Sequence, residues 1–171
     1  MRTLLALVFL VVFTPNALAL GPDEQAFYLE ATGDLMLRPG SWPGGGVGVT
    51  YARGMTDTLA IRAAMNGAWL GKPASNGVFT TRLSLGATFA LDVLSTIPFL
   101  NLALSGTDFR DTHGAGQWLG TRVELGMDHL FSRYEGIGLG FRGDICLLHL
   151  AGDTGRAPVQ LSLVFRYGRY F

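Results

Sequence analysis

One cysteine, Cys146, stands in 171 residues, so no intrachain disulfide can form and packing alone must hold the fold. Lysine is as scarce, at Lys72 only, and 13 basic residues balance 13 acidic ones. With no net charge and no basic patch, nucleic acid is not an expected partner. Long apolar runs are also missing after residue 20, so no helix of about twenty apolar residues can cross a membrane. Yet hydrophobic residues make up 49% of the chain. Apolar content without apolar runs has to be dispersed by alternation. Glycine, by contrast, is plentiful at 24 residues, which suits tight turns and crowded strands better than helices.

The first residues have their own logic. Arg2 precedes a short apolar stretch from Thr3 to Phe13, followed by Thr14-Pro15-Asn16-Ala17-Leu18-Ala19. A charged start, a short apolar core and an Ala-x-Ala end describe an export signal cleaved after Ala19. Residues 1–19 are therefore expected to be removed, leaving 20–171 as one domain. No cysteine follows the cleavage point, so no lipid anchor is expected there.

Period-2 patterns fill the rest, each bounded by turn residues. They run at about 25–37, 45–53, 58–70, 78–91, 97–106, 118–128, 136–148 and 159–171. The last is the clearest. Val159, Leu161, Leu163, Phe165, Tyr167 and Phe171 alternate with Gln160, Ser162, Val164, Arg166 and Tyr170. One face suits lipid and the other a polar lumen, as in a transmembrane β-barrel strand. Eight such strands predict an all-β fold, a single up-and-down antiparallel transmembrane barrel with no open edge in lipid. Three links (53–57, 92–96 and 129–135) read as short turns. The segments 38–44, 71–77, 107–117 and 149–158 read as loops on the opposite, outer side, where an extracellular partner would meet them. Tyr51, Phe89, Tyr167 and Phe171 fall near one end of the outward face and Trp69 and Phe79 near the other, which predicts two aromatic girdles at the bilayer interfaces.

This pattern resembles the small OmpA/OmpX-type outer-membrane β-barrel proteins over essentially the whole mature chain. The C-terminal strand carries the resemblance, with Phe165, Tyr167 and Phe171 outward. In that family this segment is read by the barrel-assembly machinery, and the resemblance implies an outer-membrane location in a Gram-negative-type cell, with outer-membrane lipid around the barrel. Arg169 departs from the pattern, since the family usually carries an aromatic or aliphatic residue two places before the end. The family's implied roles are envelope integrity, adhesion or surface defence.

The inward positions carry Glu30, Asp34, Arg62, Arg82, Arg122, Glu124, Arg142, Asp144 and Arg166. An eight-stranded barrel is just wide enough to be filled by side chains. Charges buried there have to pair, because an isolated one costs several kcal/mol or more. The expected result is a salt-bridged plug and a structural or surface-interaction role. A narrow passive channel is the first alternative. A soluble lipocalin-like barrel is the second, and it requires the inverse arrangement, with aliphatic residues inside and arginines outside. Catalysis is not expected, because no Ser/His/acid set shares a lipid-facing surface. Nor is a cofactor or metal expected: His113, with Asp108 and Asp111, sits in the third loop, where spacing alone is weak evidence for a metal. Cys146 reads as a small inward filler ahead of an inward Leu148. Trp42 and Trp118 read as interface anchors or a contact surface.

Overall fold

The computed structural model describes residues 21–38, 40–72, 75–91, 95–111, 114–152 and 158–171. The expected signal peptide, parts of all four outer links and the 92–94 turn lie outside the described residues. Eight strands follow in order: β1 (Gln25–Arg38), β2 (Gly40–Gly54), β3 (Leu59–Lys72), β4 (Ser75–Ala90), β5 (Thr96–Asp111), β6 (Gly114–Leu130), β7 (Glu135–Gly152) and β8 (Val159–Tyr170). Each pairs antiparallel with the next, and β8 pairs with β1, closing the barrel.

The strands reach further than their alternation suggests. Most of the first three segments read as outer loops is strand, so β1 and β2 pair through Arg38↔Gly40, and β5 and β6 through Asp111↔Gly114; of the fourth, 149–152 belong to β7. The glycine-rich stretch Gly44–Gly48 belongs to β2 rather than to a turn. A reason is steric: a Cβ on inward Gly44, Gly46 or Gly48 would strike the neighbouring β3 strand at Leu70, Ala68 or Asn66. Glycine is used there for close approach.

The register fixes the barrel's shape. Ala26 pairs with Ala52, then the rung continues through Arg62, Gly86, Ala103, Arg122, Asp144 and Gln160 to Met36. One circuit thus returns to β1 ten residues along (36 − 26). With a rise of about 3.3 Å per residue and strands about 4.8 Å apart, a stagger of ten over eight strands tilts them by about 41° at a backbone radius of about 8 Å.

That geometry sets heights along the axis, at about 2.5 Å per residue and about 3 Å per strand step. Outward Phe27, Tyr51, Phe89 and Tyr167 then share one level to within about 4 Å. Trp69 and Phe79, paired across β3 and β4, lie about 20–23 Å above that level. Among the described residues, no charged side chain points outward between the two levels. Arg53, Glu135 and Arg169 bracket the lower level, and Asp108 and Arg110 the upper one. The wall between is Leu, Val, Ile, Phe and Met with small residues. Its height matches the apolar band of about 25 Å that a membrane barrel presents to lipid.

Candidate functional site: the charged lumen and its apolar caps

The same alternation that turns the aliphatic face outward turns the charges inward. All nine inward charges expected from the sequence are buried in the lumen. A tenth, Asp128, completes them; it stands inward at the lower end of β6, where the alternation reads into a turn and hides it. The arginines come mainly from β4, β6, β7 and β8 and reach across to a wall of small side chains: Ala60, Ala64 and Ala68 on β3, and the glycines of β2.

Four arginines are well held. Arg166 binds Asp128 through two parallel bonds, Nε to Oδ1 at 2.6 Å and Nη2 to Oδ2 at 2.7 Å, and Glu124 through Nη1 at 3.1 Å. Arg142 donates Nε to Glu124 at 2.8 Å and Nη2 to Glu30 at 2.6 Å. Arg122 donates to Asp144 at 2.8 Å, and its Nη1 to Asn66 and Ser84 at 2.9 Å each. Arg82 reaches the other Asp144 oxygen at 2.8 Å. Glu30 also accepts from Thr50 and Asn66 at 2.8 and 3.0 Å. Charge-assisted and two-pronged bonds of this kind are the strong ones. Glu124 is the hub: it serves Arg142 and Arg166 and stands 3.7 Å from Arg62.

Asp34 stands apart from this network. Among the described residues it has no arginine partner; Thr32, Gln160 and Ser162 donate to it at 2.6, 2.7 and 2.5 Å. It is held by neutral donors rather than by an ion pair.

Above and below the charges the lumen turns apolar, which the alternation does not reveal. At the end far from the termini, Met36, Trp42, Leu70, Val78, Phe109, Trp118 and Cys146 form one buried cluster. Trp42 and Trp118 are therefore inward, 8% and 6% exposed, and not interface anchors. Cys146 is a buried member of this cap, as expected of a small filler. At the end carrying the termini, Ala26, Tyr28, Ala52 and Tyr170 form a second cluster, with Tyr28 and Tyr170 edge to face at 5.9 Å.

One inward assignment on β7 fails. Leu148 is outward, and His149 faces Trp118 with ring centroids 4.8 Å apart. The cause is a pair of register shifts: Trp118 pairs with His149 and Gly120 with Cys146, so β7 carries extra residues. Each bulge flips the side-chain phase by one. Leu147, Leu148 and Leu150 all point out as a result.

The remaining sequence-predicted residues sit as follows. Phe165, Tyr167 and Phe171 are outward on or just past β8, and Tyr167 donates to Glu135 at 2.7 Å. Tyr51 packs on Phe27 at 5.2 Å between centroids, and Phe27 on Phe171 at 6.1 Å. Asp108 pairs with Arg110 at 2.8 Å, while His113 lies outside the described residues. His129 meets the Thr96 hydroxyl at 3.0 Å on the exposed rim.

Solved outer-membrane barrels share this closed barrel fold. The Neisserial surface protein A superposes with a TM-score of 0.65 at 14% identity, over 83% of this chain and 95% of that one. The chain has the fold of the small OmpA/OmpX-type outer-membrane β-barrels. Ail, the attachment invasion locus protein of Yersinia pestis, shares that OmpA/OmpX-type fold, with a TM-score of 0.57 at 9% identity over 88% and 99% of the two chains. So does the outer membrane enzyme PagL, at 0.55 and 12% over 80% and 97%. No protein-family model matches the chain, and no curated protein is significantly similar to it. An OmpA/OmpX-type fold thus carries surface proteins and an enzyme alike, and the choice of role rests on this chain's own residues.

Proposed function

We propose that the protein is an integral outer-membrane barrel with a structural or surface-interaction role, set in lipid with both termini on the periplasmic side and its lumen closed. The observation that carries this reading is the pairing of a charge-free outward band with a charge-packed interior. The inversion needed for a soluble lipocalin-like barrel is absent: the aliphatic residues face out and the arginines face in. The surface-associated names of the two non-enzyme neighbours fit the same role.

A closed lumen is favoured over a passive channel on packing grounds. Arginine bonds link β7 to the Glu30 carboxylate on β1 and β6 to the Asn66 amide oxygen on β3, and apolar clusters cap both ends. A cavity near the terminus end measures about 30 Å³, while a single water needs about 10–15 Å³ by the same measure. A catalytic role is not part of the proposal. The Thr96–His129 contact is exposed, and no described carboxylate is bonded to that imidazole to orient it as a base.

Single-channel recording in a planar bilayer tests the closed-lumen reading. The folded, heat-modifiable protein should give no discrete conductance steps in 1 M KCl. Reproducible steps that survive repurification would establish the channel reading instead.

A further inference from the structure

On the reading that the barrel sits in lipid with its termini periplasmic, we infer that one groove on its outer wall holds an acyl chain of a periplasmic-leaflet phospholipid. The groove has a volume of about 440 Å³ and runs from Phe27 on β1 to Leu119 on β6. Its floor is the rung Thr50–Ala64–Ser84–Ser105, paired in register across β2 to β5. By parity these side chains turn to the lumen, where Thr50, Ala64 and Ser105 are buried. What faces lipid is hydrogen-bonded backbone, so an apolar chain lying on it covers no unpaired polar group. The rung below, Tyr51–Ala63–Leu85–Leu104, forms one wall, and the rung above, from Val49 to Gly106, forms the other. A short residue opens each wall: Ala63 in the lower one, and Gly106 in the upper, where a Cβ would find nothing within 4 Å.

Position and polar contacts choose the occupant. The groove lies between the two aromatic levels. Each strand step lifts it about 3 Å, so its lower wall climbs about 9 Å from Tyr51 to Leu104, within the half-thickness of about 15 Å that one leaflet supplies. Lipid tails are as apolar as the wall, so preference for a groove comes from packing: a chain between two walls meets more protein atoms than one on a ridge. The lower end opens at the periplasmic girdle, beside Phe27 and Tyr51. Arg169, the departure from the usual C-terminal pattern, pairs with Phe27 across β1 and β8 and is exposed. Its neighbour on β7, Glu135, is engaged by Tyr167, and Arg53 at the same level is engaged by Asp23. The Arg169 guanidinium holds no hydrogen bond or ion pair among the described residues, which leaves it open to a lipid phosphate. At the upper end the outward Arg110 is already paired with Asp108. The periplasmic end is therefore the one that can hold a phospholipid headgroup.

Photolabelling is the test. The barrel is folded into phosphatidylglycerol vesicles doped with the same lipid carrying a diazirine midway along one acyl chain, and labelled residues are mapped by mass spectrometry. Labels should fall several-fold more often around Ala63 and Leu85 than around Leu125 and Phe141, an outward pair at similar depth on the far wall. Ala63→Leu fills the groove, and Arg169→Leu removes the phosphate partner. Each should abolish the excess and leave the far wall's labels unchanged. Failure of Ala63→Leu to fold leaves the wild-type map and Arg169→Leu to decide. Even labelling of the two walls would overturn the inference with the barrel still in lipid, whereas labels absent from every outward residue would overturn the membrane reading itself. An excess that survives Arg169→Leu would mean that the chain enters from the other leaflet, and would overturn the periplasmic source.

Discussion

Replacing Glu124 by glutamine should be the most damaging single isosteric change in the barrel. The side chain keeps its volume, so no cavity forms and the effect is electrostatic. Glu124 accepts from Arg142 at 2.8 Å and from Arg166 at 3.1 Å and faces Arg62 at 3.7 Å, with 1% of its side chain exposed. Glutamine removes the negative charge and turns one acceptor into an NH₂ group aimed at a guanidinium. The ion-paired group of Arg62, Arg142 and Arg166 with Glu30, Glu124 and Asp128 goes from neutral to one positive charge in excess. Breaking a buried ion pair by removing one partner costs about 3–5 kcal/mol. At about 1.4 kcal/mol per decade, the folded-to-unfolded ratio should fall roughly 10²–10⁴-fold. The control is Glu135→Gln, which loses one exposed bond to Tyr167 and should change stability by less than about 1 kcal/mol. Urea unfolding of the folded barrel in phospholipid vesicles, followed by heat-dependent gel mobility, measures both. If Glu124→Gln matched Glu135→Gln to within about 1 kcal/mol, the lumen network would not be what holds the barrel, and the plug reasoning would fail.

Further outcomes follow from the two faces. Leu85→Arg, midway between the girdles, should destabilise the barrel in vesicles by about 2–4 kcal/mol, whereas Tyr51→Arg at the lower level should cost about 1 kcal/mol or less; equal costs would place the membrane elsewhere. Gly86→Ala would drive a Cβ into the Leu102 carbonyl and Ala103, so it should lose about 1–3 kcal/mol, while Gly106→Ala, with open space around it, should be neutral by the same unfolding assay. Trp118→Ala should remove one of the two indoles of the far cap and cost about 3–5 kcal/mol; a change under about 1 kcal/mol would show that this cap contributes little.

Period-2 alternation made the strand count, the outward face and nine lumen charges legible, because a half-lipid, half-lumen wall leaves no freedom in which way each residue points. It failed where something other than the period decides. Trp42 and Trp118 look like interface residues by type, yet parity turns them inward and a cap needs bulk. Leu148 lies between two bulges that no local pattern announces. Asp128 precedes a turn, and its role exists only because Arg166 arrives from β8. The glycine-rich start of β2 imitates a loop, since close approach and chain reversal both favour glycine. Arg62 could be assigned inward but not read as the arginine left with a 3.7 Å ion pair, because that depends on the two arginines that already hold Glu124.

Quenching of tryptophan fluorescence by brominated lipids tests the central claim that the aliphatic face meets the bilayer and the indole-capped face does not. In vesicles carrying bromine on the acyl chains, the double variant Trp42→Phe/Trp118→Phe retains Trp69, 58% exposed at the upper girdle. Its emission should be strongly quenched. The complementary variant Trp69→Phe, emitting from Trp42 and Trp118 inside the lumen, should be quenched weakly, with both variants showing heat-dependent mobility. Strong quenching of Trp69→Phe with little for Trp69 itself would mean that the faces are inverted and the membrane-barrel account is wrong.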